Sequence, residues 1–280
     1  MISVIDRTLS VLRDPKGKEE LKRFAERLFS MGADVLELSE ENYAALGGDL
    51  PAGNYVIRLR AGSSPASFPG IKRFVASGTV SRNVVMSEEY YVRELGTLLS
   101  HEIPPVLRPV RLSLATPALD FDVPRHFDAI RNTFLGHVEF SPCGDPGVAT
   151  SLSHEWILFG GHSIVTTLGG VGGYASFEEV QFFLRSIRRR RAPLVCVPPE
   201  EIRTICAEAF PDAPKIDAAP LLKIGPSSSI HIIKFKLDQL GIDLTGDEIK
   251  VITSYVRAGH RKPAPYLDTQ SLIAMAEKFR

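Results

Sequence analysis

The residues that could do chemistry are few, and most have the wrong spacing for familiar sites. Seven histidines are scattered through the 280 residues. His101, His126, His154, His162, His231 and His260 show neither H-x-H nor H-x-x-E-H spacing, and His137 stands alone near the end of an apolar run. Each reads first as a satisfied or exposed histidine. The three cysteines, Cys143, Cys196 and Cys206, form no C-x-x-C pair, and so sparse a count suits a reducing compartment. No G-x-S-x-G or P-loop spacing occurs. Gly169-Gly-Val-Gly-Gly173 lacks the G-x-G-x-x-G spacing of a dinucleotide turn. Close backbone turns explain it better. Arg185-Ser-Ile-Arg-Arg-Arg-Arg191 is the only dense basic run. It reads as the cationic end of a helix, with a phosphate or CoA-phosphate site as the alternative. Two segments remain: Ser141-Pro-Cys-Gly-Asp-Pro-Gly-Val-Ala-Thr-Ser-Leu-Ser153, and the glycine-rich turn that follows residues 163–168.

Both segments follow short apolar runs, so strands must position them. Residues 1–9 read as a buried strand. Leu21, Phe24, Ala25, Leu28 and Phe29 make one helical stripe over residues 16–31. Gly32 then ends that helix, and residues 35–38 are the next strand. A strand, helix and strand of this length form a right-handed parallel unit. Further strands are expected at 55–59, 73–76, 110–114, 137–140 and 164–168. Helices are expected at 88–100, 124–134, 151–159 and 177–189. Alternation of this kind predicts a parallel sheet with helices outside. About seven strands precede residue 170, whereas a closed eight-stranded barrel takes about 250 residues. The expected fold class is therefore α/β, a (β/α)8-like TIM barrel, shortened and possibly incomplete. It would occupy residues 1–192, with a small helical C-terminal subdomain at 193–280.

Several motifs, in order, resemble those of the homocitrate synthase and isopropylmalate synthase family. Val4-Ile-Asp-Arg-Thr-Leu9 is similar to the start of its I-x-D-T-T-L-R-D-G strand, and Gly32-Ala-Asp-Val-Leu-Glu37 to the G-x-D-x-x-E ending of the next helix. Ser141 to Ser153 is similar to H-x-H-N-D-x-G-x-A-x-x-x-S. Thr167-Leu-Gly-Gly-Val-Gly-Gly-Tyr-Ala-Ser-Phe-Glu-Glu-Val180 is similar to the eighth-strand motif. Pro198-Pro-Glu-Glu-Ile-Arg203, Ile224-Gly-Pro-Ser-Ser-Ser229 and the K-L-x-x-L-G-I-x-L-T pattern from Lys236 resemble the family's helical tail, most closely that of nitrogen-fixation homocitrate synthases. Residues 41–134 match only in their βα rhythm.

The resemblance implies condensation of acetyl-CoA with a 2-oxo acid such as 2-oxoglutarate, around a divalent metal (Mg, Mn or Zn). It also implies that the ligand positions have degenerated. The first-strand Arg-Asp falls on Ser10 and Val11, the two histidines on Ser141 and Cys143, the asparagine in a gap at 174–177, and the tail histidine on Ser227. No cofactor is then expected. The same carry-over makes Asp6, Thr8, Asp145 and Thr167 candidate substrate-binding residues. A displaced L-R-D motif makes Arg13 and Asp14 candidate catalytic residues; the plainer reading is a loop with a surface charge pair. Cys143 could substitute as a ligand or be a small buried thiol, and Asp145 could hold its loop or merely turn the chain.

The expected protein is thus homocitrate-synthase-like, and non-catalytic or complementary to an active enzyme. The alternative is an active acyltransferase with a rebuilt site. The family's tail implies a homodimer or a heteromer with a full-length synthase, with a possible small-molecule ligand. Lys plus Arg equals Asp plus Glu at 33 each, so charge gives no reason to expect nucleic acid or a membrane surface. No apolar run reaches bilayer length and the N-terminus lacks a signal pattern, so a cytoplasmic location is expected.

Overall fold

Eight short segments become the staves of a closed parallel barrel in the computed structural model, which describes residues 2–77, 91–95, 110–114, 123–187, 199–212, 222–225, 228–258 and 266–279. The strands are β1 (Ser3–Asp6), β2 (Val35–Ser39), β3 (Tyr55–Leu59), β4 (Phe74–Ser77), β5 (Tyr91–Leu95), β6 (Val110–Leu112), β7 (Val138–Phe140) and β8 (Ser163–Thr167). Each pairs in parallel with the next, and β8 pairs back onto β1, with Ser3 beside Ser163 and Asp6 beside Thr166. A two-residue strand β9 (Ala175–Ser176) pairs in parallel alongside the end of β8.

Two expectations change. The helix expected over 88–100 is instead strand β5 where the chain is described. That strand supplies the eighth stave, so the barrel is short in its connections and complete in its sheet. The first strand also ends early. Ser10 and Val11 lie in a one-turn helix, α1 (Thr8–Val11), that leaves the C-terminal end of β1. Cys196, His101, His260, Ser227 and residues 188–191 of the basic run lie outside the described residues.

Outside the barrel run α2 (Lys18–Ser30), α3 (Glu40–Leu46), α4 (Val123–Thr133), α5 (Pro146–Leu158) and α6 (Phe177–Ser186). The α2 stripe of Leu21, Phe24, Ala25 and Leu28 is buried as its spacing predicts. The tail contributes α7 (Pro199–Ala209), α8 (Ile230–Gln239), α9 (Gly246–Ala258) and α10 (Thr269–Phe279). Helix α5 is buried on nearly every side from Gly147 to Ile157, because the barrel lies on one face and the tail on another. The Glu155 carboxylate accepts the Ser229 backbone N–H at 2.5 Å, at the start of α8. Glu179 of α6 accepts the Leu222 N–H at 3.1 Å.

Titratable groups buried outside the lumen make stability depend on pH. Burial pushes Asp6 and Glu155 each up to about 7 and depresses His154, stacked on Phe183, to about 3. A carboxyl raised on folding holds its proton more tightly in the native state. Its contribution is full below about pH 4 and is lost as pH rises to about 7. The imidazole contribution is present above about pH 6.5 and is lost as pH falls. Burial also raises the Glu178 carboxyl and lowers the His137 imidazole; three carboxyls oppose two imidazoles, so stability should fall as pH rises between about 4.5 and 6.5. Urea midpoints at pH 5, 6 and 7 check this. Asp6→Asn should flatten the slope; a midpoint that rises with pH across this range would contradict the assignment.

Candidate functional site

The register of a tilted barrel stacks its inward side chains in layers drawn from alternate strands. Here the lowest inner residues are mostly apolar: Ile5, Val35, Val56, Val75 and Val165 form a small cluster of their own inside the sheet. Tracing the register upward, Ile5, Val56 and Glu139 share one layer. Glu37, Val75, Arg111 and Val165 share the next. Arg7, Arg58 and Ser141 lie above that, toward the C-terminal ends of the strands. Glu94 of β5 is in register with Arg111.

Barrel interiors are usually filled by branched apolar side chains. In this one, a column of alternating charge climbs the axis. Arg73, just before β4, pairs with Glu139. Glu139 also takes Arg111, whose Nη2 lies 2.8 Å from its Oε2. Arg111 reaches up to Glu37. Glu37 Oε1 accepts from Arg58 Nε at 2.7 Å and Ser10 Oγ at 2.7 Å, and lies 3.6 Å from Arg7 Nε. Glu37, Arg111 and Glu139 have no exposed surface. Burial alone would raise the Glu37 pKa, but Arg111, Arg58 and Arg7 override it and hold the carboxyl well below its usual range. Burial lowers the Arg73 guanidinium to about 10, with Arg111 adding to the effect.

The column starts and ends with arginine. Among the described side chains, Glu37 is shared by Arg111, Arg58 and Arg7, and Glu139 by Arg111 and Arg73.

The upper end opens toward the loops that follow β7 and β8. The Arg7 guanidinium lies 4.1 Å from the Tyr174 ring centroid, within cation–π range. Ser141 Oγ is buried with no hydrogen-bond partner. The two loops are clamped together. Gly144 N–H donates to Gly173 O at 2.8 Å, and Cys143 pairs with Tyr174 in an isolated bridge. Gly173 has φ +81°, and a Cβ there would sit 2.5 Å from the Gly144 carbonyl oxygen. Gly173→Ala should therefore cost on the order of 1–3 kcal/mol. A denaturant midpoint equal to that of the unaltered protein would contradict the clamp.

Each residue singled out in the sequence can now be placed. Ser10 and Ser141 belong to the upper lumen, and half-buried Cys143 to its rim loop. Val11 packs toward the glycine loop, where a Cβ on Gly172 would meet its Cγ1 at 3.0 Å. Thr8 Oγ1 accepts the Leu168 N–H at 2.7 Å, and Thr167 Oγ1 donates to Val171 O at 2.8 Å, so both hold that loop. Asp6 points away from the lumen and accepts the Thr8 N–H at 2.9 Å. Asp145 caps α5 through the Gly147 and Val148 N–H groups and pairs with Lys223 at 2.5 Å. Burial would raise its pKa, but Lys223 and the two amides lower it. Arg13 and Asp14 are exposed beyond α1, Asp14 with φ 57°.

The residues that sequence reading missed are Arg7, Glu37, Arg58, Arg111 and Glu139. A signal for four of them existed: one charged residue within each of the short apolar strands β2, β3, β6 and β7, where a buried parallel strand should be apolar throughout.

A metal of the kind the resemblance implies does not fit the described residues. The positions that would ligate it hold Ser10, Val11, Ser141 and Cys143. Among the described residues, no three His, Cys, Asp or Glu side chains come close enough together to share an ion. The nearest charges at that end of the barrel include two guanidinium groups, which repel a dication.

Fold and site together define a shortened (β/α)8-like barrel whose lumen holds a column of paired arginines and glutamates. No protein-family model matches the chain, and no curated protein does. Solved structures do. The N-terminal domain of a putative aldolase from Bacteroides vulgatus superposes with a TM-score of 0.53 at 11% identity, over 74% of this chain and 85% of that one. The carboxyl transferase domain (Y628A) of Rhizobium etli pyruvate carboxylase, solved with pyruvate, superposes with a TM-score of 0.53 at 14% identity, over 99% of this chain. The chain spans 60% of the length of that second structure. At these identities the likeness is one of fold. Among the described residues, no helix is long and apolar enough to cross a membrane.

Proposed function

We propose that this is a homocitrate-synthase-like barrel protein in which arginines occupy the role of the metal, so that it binds a small carboxylate at the C-terminal mouth without condensing it with acetyl-CoA. The observation that carries the reading is the upper end of the charge column. Arg7 and Arg58 both pair with Glu37, in the same layer as the buried Ser141 hydroxyl, which has no hydrogen-bond partner. A carboxylate of a 2-oxo acid would accept charge-assisted hydrogen bonds from these guanidinium groups and a hydrogen bond from the Ser141 hydroxyl. The fold neighbour solved with pyruvate, itself a 2-oxo acid, agrees with that ligand class. The protein would act as a non-catalytic or complementary subunit, as a homodimer or beside a full-length synthase.

The competing reading is an active acyltransferase that uses Arg13 and Asp14. It is favoured by the left-handed backbone of Asp14, since such strain collects at functional sites. Thiol release from acetyl-CoA with 2-oxoglutarate, in added Mn or Zn, separates the two. The expected result is no release above the protein-free rate. Turnover that disappears in Asp14→Ala would establish the competing reading.

A further inference from the structure

The lower end of the charge column also opens to solvent, on the face opposite the mouth. A cleft of about 720 Å³ lies there, between the segments that lead into β2, β3 and β4. That volume is in the range of small-molecule sites. Leu50, Pro51 and Ile71 give it apolar walls, Tyr55 an aromatic one, and Lys72 and Arg73 its positive charge. Among the described residues that line it, none is a carboxylate.

The walls are fixed before any ligand arrives. Tyr55 OH donates to Pro51 O at 2.9 Å, and its ring packs edge-on against Phe29 at 5.4 Å. Gly53 leaves no room for a side chain, since a Cβ there would sit 2.2 Å from the Phe29 ring. The Ile71 N–H donates to Phe68 O at 3.2 Å. Arg73 is held from above by Glu139. Since Glu139 is shared with Arg111, one carboxylate serves two guanidinium groups at this end.

We infer that this N-terminal cleft is a binding site for a small amphipathic organic anion, whose carboxylate meets Lys72 and Arg73 and whose apolar body lies against Leu50, Ile71 and the Tyr55 ring. The site is distinct from the C-terminal mouth and lies at the opposite end of the charge column. A preformed pocket of this kind avoids much of the ordering cost of binding.

The test is calorimetric titration of the intact protein with 4-phenylbutyrate, and with its uncharged amide as control. Two substitutions keep the buried column intact. Lys72→Gln removes the exposed cation, and Ala52→Trp fills the cleft from its exposed rim. Saturable binding of one equivalent is expected, weakened about tenfold or more by the amide and by each substitution, as loss of a charge-assisted contact or of the cavity requires. No saturable binding, equal binding of the amide, or unchanged affinity in either variant would overturn the assignment.

Discussion

Arg111→Met should destabilise the protein by about 3–5 kcal/mol, since removing one member of a buried ion pair leaves the other charge uncompensated. Here two carboxylates would each lose their fully buried partner at once, leaving Glu37 with Arg58 and Arg7 and Glu139 with Arg73. Glu37 and Glu139 are both fully buried and both depend on the Arg111 guanidinium. Methionine fills similar space and offers neither carboxylate a donor. Against a total of about 5–15 kcal/mol for a typical domain, this is a large fraction, and poor soluble yield should accompany it. Arg111→Lys keeps the charge without the two-pronged fork and should lose less. Urea denaturation of the three proteins measures the effect. A loss below about 1 kcal/mol in Arg111→Met would place it among ordinary surface changes. The column would then not be a coupled unit.

The second large effect is on binding at the mouth. Arg58→Gln should weaken a 2-oxo acid at least about thirtyfold, the effect of truncating one partner of a buried, hydrogen-bonded charge pair. Arg58 is the better test residue because it sits at the margin of the column. Its side chain is 18% exposed, and Glu37 keeps Arg111 and Arg7 when it is lost. Thermal midpoints should therefore move little while affinity collapses. An unchanged dissociation constant in Arg58→Gln would remove the guanidinium from the binding site.

The framework was readable because its signals are local. The α2 stripe, the glycine after it and the apolar runs of β1, β2, β3 and β8 each obey a simple period. Strand β5 was misread for a physical reason. Tyr91-Val-Arg-Glu-Leu95 follows Glu88 and Glu89, and its charges look like the wet face of a helix. In most barrels a strand is apolar on both faces. This lumen carries charge, so the usual signal is weakened at its most informative positions. The same cause hid the site. Motif matching looks for ligands near the strand ends, and so it settled on Ser10, Ser141, Cys143, Arg13 and Asp14. The charged side chains that meet one another lie within the strands, at Glu37, Arg58, Arg111 and Glu139. They come from four staves distant in sequence, and only the closed sheet aligns them.

Titration with 2-oxoglutarate in the presence of excess EDTA tests the central claim most directly. If the arginines have taken over the anion-binding role, one equivalent should bind with the same affinity with or without the chelator, and added Mn or Zn should not tighten it. Binding that appears only when a divalent metal is supplied, or no binding in either condition, would contradict it.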